Sequence, residues 1–118
     1  MIKDLVVSSL KRIENPNGDV YHALKRSESS FSEFGEAYFS TVNFNVVKGW
    51  KKHTKMTLNL IVPIGRIRFV IYDDRVNSDS YEHFHEVTLS SENYCRLTVP
   101  PGLWMAFQGE SQEANMLL

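Results

Sequence analysis

At 118 residues the chain has room for one domain with a single core, and 42% hydrophobic with 23% charged residues is an ordinary globular balance. A formal net charge of −1 excludes a general attraction to nucleic acid or acidic membranes, so any anion-binding surface must be local. Cys95 is the single cysteine, which rules out an intrachain disulfide and gives no sign of an oxidising compartment. The first residues, Met1-Ile2-Lys3-Asp4 and then polar Ser8-Ser9, make neither a signal peptide nor a membrane span, so a cytoplasmic protein is the default expectation.

Residues 1–8 alternate weakly and suit a short edge strand. Leu10 to Ile13 and Val20 to Leu24 flank Asn15-Pro16-Asn17-Gly18, where Asn-Gly supplies the positive φ angles of a tight reversal, and a β-hairpin is predicted. Lys25 to Glu33 is polar and serine-rich and reads as an exposed loop. Phe34 to Thr41 is predicted as a strand with Phe34, Glu36, Tyr38 and Ser40 on one side, then Asn43-Phe44-Asn45 turns into a strand over Val46 to His53.

Met56 to Val62 and Arg66 to Tyr72 are predicted strands joined by Pro63-Ile64-Gly65, and Asp73 to Ser80 is a polar loop. Shorter strands follow over Phe84 to Leu89 and Tyr94 to Val99. Pro100-Pro101-Gly102 interrupts the chain before a strand over Leu103 to Gln108, and another begins at Ala114. No long segment keeps a helical apolar period. Short strands with turn signals every eight to twelve residues point to an all-β sandwich or barrel.

The only basic concentration is Lys48, Lys51, Lys52, His53 and Lys55, with no acid among them. A strand presents alternate residues to one face. Lys51 and His53 therefore share a face with Gly49, while Trp50 and Lys52 take the other, where Trp50 is expected to pack in the core.

The order of these pieces resembles the cupins of nucleotide-sugar metabolism, the dTDP-4-keto-6-deoxyhexose (dTDP-4-dehydrorhamnose) 3,5-epimerases and the related 3,4-ketoisomerases. The family's aromatic-x-Gln-x-Asn-x-Ser strand is similar to Phe34-Gly35-Glu36-Ala37-Tyr38-Phe39-Ser40. Its Val-x-Arg-Gly-Leu-His segment is similar to Val46-Val47-Lys48-Gly49-Trp50-Lys51, and its Gly-led strand ending Asp-x-Arg to Gly65 through Arg75. Leu89-Ser90-Ser91-Glu92-Asn93 followed by Val99-Pro100-Pro101-Gly102-Leu103 is the most specific match. The resemblance implies a single cupin jelly-roll β-barrel over 1–118, without the C-terminal strand and tail that family members carry. It also implies a homodimer, and a nucleotide-sugar or other small molecule as ligand rather than nucleic acid or membrane.

The departures are equally specific. Where the family has its catalytic His this chain has Lys51, where it has the partner Asp there is Phe69, where it has a pocket His there is Met105, and its catalytic Tyr would fall near Leu118. The ketoisomerase branch carries a second His two residues on, and His53 occupies that place.

Epimerising or isomerising a sugar beside a ketone needs a base for the α-proton, an acid, and a group that stabilises the enolate. If the strands lie as the resemblance implies, Glu36, Tyr38, Ser40, Lys51 and His53 point into the barrel. The catalytic candidates are His53 as base, Lys51 as enolate or diphosphate contact, Tyr38 as proton donor and Glu36 as acid or orienting group. Lys48 stands where the family grips a phosphate, and Lys48, Ser40 and Trp104 are the candidates for holding substrate. Simpler readings exist for each: a plain Lys51–Glu36 cross-strand pair, a solvated Lys48, and Trp104 at an interface. His83 and His85 lack a third ligand, and no metal and no cofactor are predicted. Leu58, Phe69 and Met105 make the interior apolar. The sequence supports an enzyme of surface-polysaccharide biosynthesis, or alternatively a cupin of the same fold that binds a nucleotide-sugar or other small ligand without turnover.

Overall fold

The computed structural model describes residues 1–118 as eleven strands and no helix. They are β1 (Val6–Ser9), β2 (Arg12–Ile13), β3 (Val20–Tyr21), β4 (Ser40–Thr41), β5 (Val47–Lys52), β6 (Leu58–Leu60), β7 (Arg66–Asp73), β8 (Phe84–Ser90), β9 (Cys95–Val99), β10 (Leu103–Gly109) and β11 (Met116–Leu117). A three-stranded sheet of order β1-β9-β6 faces a four-stranded sheet of order β5-β10-β7-β8. Two small ribbons, β11-β4 and β2-β3, complete the all-β cupin jelly roll. The two main sheets enclose one core but do not join into a continuous barrel wall. No helix of the molecule is long and apolar enough to cross a membrane.

The core forms where alternation aims apolar side chains between the sheets. Ile67, Phe69 and Ile71 of β7, Leu103 and Met105 of β10 and Leu89 of β8 meet Leu60 of β6 and Cys95, Leu97 and Val99 of β9. β9 is buried along its whole length. Its Arg96 and Thr98 point away from the core, yet residues 22–31 lie over them. Arg96 donates to Ala23 O and pairs with Glu28, Tyr94 Oη donates to His22 O, and Asn59 Nδ2 donates to Ser30 O. The stretch read as an exposed loop is thus partly a cover, because a buried guanidinium must find acceptors.

The hairpin predicted around Asn17-Gly18 is β2-β3, with Gly18 at φ 130°. The predicted strand over Phe34 to Thr41 forms only at Ser40–Thr41, which pairs with β11; residues 32–39 are exposed throughout and make no backbone hydrogen bond. Their pattern suits a strand, but no neighbour in the chain offers them an edge.

β5 departs from strict alternation. Lys51 pairs with Met105 and Lys48 with Phe107, so Gly49 and Trp50 together stand opposite Ala106. Such a bulge shifts parity by one residue. Gly49 has φ 128°, and a Cβ there would come within 2.8 Å of Ala106 Cα and of Met105 O, so only glycine fits. Trp50 is half exposed instead of packing in the core.

Candidate active site

Lys51 and His53 line one pocket together with Met56, Leu58, Val99, Pro100, Leu103 and Met105. Lys51 is carried on β5 opposite buried Met105 and, itself exposed, borders the pocket at its open side. His53 follows the strand and is half buried; its carbonyl accepts a 2.7 Å bond from Gly102 N. The Pro100-Pro101-Gly102 turn, with Gly102 at φ 92°, therefore both walls the pocket and fixes the histidine's backbone. Leu58 and Met105 make the opposing walls apolar, as their types foretold, whereas Phe69 is fully buried in the core below.

Lys48 stands on the same face of β5 as Lys51 and donates from Nζ to Thr41 O at 2.6 Å. It is exposed, so its charge remains available at the rim. Three of the five basic residues of the run thus gather on the pocket side. Lys52 turns outward and pairs with Asp74 at 3.2 Å.

The other sequence candidates are not brought to this pocket within the chain. Glu36 and Tyr38 lie on the exposed 32–39 segment, and Ser40 is half buried in β4 opposite Leu117. Trp104 is on the outer face of the four-stranded sheet, where its Nε1 donates to Asp74 Oδ2 at 2.8 Å. Alternation decides this: Trp104 adjoins inward-facing Leu103 and Met105 and must point the other way. Asp74 is held below the usual carboxylate range by the Trp104 and Lys52 hydrogen bonds. No three His, Cys, Asp or Glu side chains converge on a point, and His83 and His85 stand apart from the pocket. Met56, Val99, Pro100 and Leu103 are lining residues that sequence reasoning did not single out. The Pro-Pro-Gly punctuation beside the inferred site was the available signal.

The sequence model of the dTDP-4-dehydrorhamnose 3,5-epimerase family matches residues 1–118. The chain belongs to this family. A solved relative, a dTDP sugar isomerase from Desulfovibrio desulfuricans G20, is 36% identical with a TM-score of 0.95, over 98% of this chain and 74% of that one. A sugar 3,4-ketoisomerase from Thermoanaerobacterium thermosaccharolyticum, solved with TDP, shares the fold at 16% identity and a TM-score of 0.79, covering 99% of this chain and 80% of that one. The probable low-salt glycan biosynthesis epimerase Agl13 of Haloferax volcanii is 26% identical over 83 residues, which is 70% of this chain and 53% of the relative. The chain thus spans about half the length of the curated relative it matches. Within this family, Lys51 and Phe69 stand where the resemblance leads one to expect His and Asp, and His53 where the ketoisomerase branch carries its second His.

Proposed function

We propose that the protein is a cofactor-independent isomerase or epimerase of a dTDP-linked 4-keto-6-deoxy sugar, acting by proton transfer next to the ketone. The observation that carries this reading is that exposed Lys51 and half-buried His53 border one narrow, otherwise apolar crevice. The neutral imidazole of His53 takes the proton from C3, and the Lys51 ammonium stabilises the enolate oxygen that forms at C4. Lys48 at the rim holds the diphosphate as a point charge, without the bidentate fork an arginine would offer. The protein works in the cytoplasm as a homodimer, supplying sugars for surface polysaccharide.

Geometry favours the isomerase form. Both ionisable pocket groups come from one wall, the end of β5, while Met56, Leu58, Val99, Leu103 and Met105 supply no acid or base. Inverting a carbon requires a proton taken from one face and another delivered to the opposite face. Moving the ketone from C4 to C3 requires only one face: the C3 proton leaves as O4 takes one up, an enediol forms across C3 and C4, and a proton then returns at C4 as the O3 hydroxyl gives up its own to leave the C3 ketone. Atoms and electrons balance without any other reactant.

The test is incubation with dTDP-4-keto-6-deoxyglucose in deuterated water. The expected product is the 3-keto sugar with deuterium confined to C4. Deuterium at C5 would instead assign 3,5-epimerase chemistry, and the absence of any exchange or new sugar would remove the enzymatic reading. Calorimetric binding of dTDP without turnover would then support the binding-module alternative.

A further inference from the structure

His53 lies one residue past the end of β5, where the ladder to β10 stops at the Lys52–Trp104 pair. Chain just beyond a strand end is where local fraying costs least. A base tolerates little of it, since a misplacement of ~1 Å costs on the order of 10²-fold in rate. Both sides of this histidine are tied down, and both ties lead to Asp73-Asp74-Arg75, where β7 ends.

The first tie is on the outer face of the four-stranded sheet. Asp74 Oδ2 accepts from Trp104 Nε1 at 2.8 Å and from Lys52 Nζ at 3.2 Å, and the Lys52 ammonium lies 5.1 Å from the centre of the Trp104 ring. The three groups come from the same end of neighbouring strands β7, β10 and β5. Together they hold the residue immediately before His53. The Lys52 and Asp74 side chains keep only 29% and 34% of their exposure, so water screens this pair less than a free surface pair.

The second tie is on the inner face. Asp73 points the opposite way from Asp74, as alternation requires, and is fully buried. It accepts from Arg75 Nε at 2.9 Å and Nη2 at 3.0 Å, with Ser78 and Ser80 filling the rest of its capacity. A two-pronged grip of this kind gives the arginine side chain one fixed course. That course runs along Gly102, where a Cβ would come within 3.2 Å of Arg75 Cδ and 3.5 Å of Cγ. Gly102 N in turn donates to His53 O at 2.7 Å. Arg75 is the stop behind the turn whose amide holds the histidine's carbonyl.

We propose that Asp73-Asp74-Arg75 is a positioning element for His53, two adjacent carboxylates acting on opposite faces of one sheet to fix the histidine from both sides. Asp74 sets Lys52, and Asp73 sets the His53 carbonyl through Arg75 and Gly102. None of the three lines the pocket, so each acts only through another residue. This role rests on the reading of His53 as the base.

The test follows the His53 ring itself in the full chain. In a proton–carbon correlation spectrum its Cε1 resonance, assigned by its loss in His53→Gln, should be single and narrow. Asp74→Ala should shift or broaden it while His22, beside β3, and His85 of β8 stay in place. Gly102→Ala, which crowds Arg75 at a positive φ, should displace the same resonance from the other side. Glu86→Ala, which breaks the Arg68 pair on the same outer face, should leave it unmoved. With dTDP-4-keto-6-deoxyglucose, Asp74→Ala should lower kcat roughly tenfold or more at unchanged KM, and Glu86→Ala should alter neither. A His53 resonance unmoved in both Asp74→Ala and Gly102→Ala, one moved equally by Glu86→Ala, or one moved with kcat intact would overturn the proposal. A moved resonance in a protein whose parent form exchanges no deuterium would uphold the positioning and remove the catalytic reading alone.

Discussion

Lys48 and Lys51 stand on the same face of β5, three positions apart, because Gly49 and Trp50 share the single partner Ala106 on β10. Without the bulge, alternation would send one of the two lysines to the outer surface.

Gly49→Ala tests that relationship. The added methyl would meet Ala106 Cα and Met105 O at 2.8 Å and Ala106 Cβ at 2.9 Å, on a residue with positive φ. Overpacking and backbone strain together should lower stability by about 2–4 kcal/mol, read as a reduced urea midpoint. An unchanged midpoint would mean that the bulge absorbs a side chain.

His53→Gln should reduce turnover by roughly 10²–10⁴-fold, the usual contribution of a positioned base, with dTDP affinity kept. Lys51→Met should lower turnover by about 10²–10³-fold by removing the enolate contact. If the two act on one transition state, the double variant should lose less than the product of the single losses. Retained turnover in His53→Gln would move the base elsewhere.

The buried carboxylate of Asp73 predicts acid sensitivity. It accepts from Arg75 Nε and N at 2.9 Å, from Ser80 Oγ at 2.6 Å and from Ser78 Oγ at 2.8 Å. The Arg75 hydrogen bond above all holds its acid dissociation far below the ordinary aspartate range. Stability from a depressed carboxylate is complete above the unfolded value, near ~4, and is lost as pH falls below it towards the folded value. Asp73→Asn should cost about 3 kcal/mol at pH 7 and flatten the decline of the unfolding midpoint below pH 4. A variant as acid-sensitive as the parent would place the titration on another group.

Arg96→Met should loosen residues 22–31 without opening the core. The guanidinium holds Ala23 O and Glu28, while its buried Nε has no partner at all. Methionine fills similar volume on β9 but cannot grip the covering segment. Limited proteolysis within 22–31 should quicken roughly tenfold while the global transition stays cooperative. Equal resistance to nicking would show that Asn59 and Tyr94 suffice to hold the cover.

Much of the strand order was legible because apolar alternation and glycine or proline breaks coincide, as at Pro63-Ile64-Gly65 and Pro100-Pro101-Gly102. Lys51 and His53 were legible as a pair for the same reason, being two residues apart beyond the bulge. Lys48 was named from the family resemblance alone: alternation counts residues and would set it on the face opposite Lys51, whereas the bulge adds one and brings it round. Phe34 to Phe39 alternate like a strand but lack a partner in the chain, and local pattern carries no information about edges. Lys25 to Glu33 looked solvated because polarity was read without asking what Arg96, lodged in an apolar run, would need. Trp104 was assigned to substrate on residue type, although its place next to Leu103 and Met105 already turned it outward.

Strand order also bears on how the polypeptide is born. β10 lies between β5 and β7, and β9 between β1 and β6, so each main sheet waits for a late arrival to fill its middle. A nascent chain that has cleared the ribosome through β8 can form the β7-β8 hairpin, while β5 still lacks its sheet neighbour. Pairing over such separations is slow, and the unfilled gaps are adhesive while they last. This protein completes its two sheets only once β9 and β10 have emerged, so the interval just before then leaves the most strand edge unpaired.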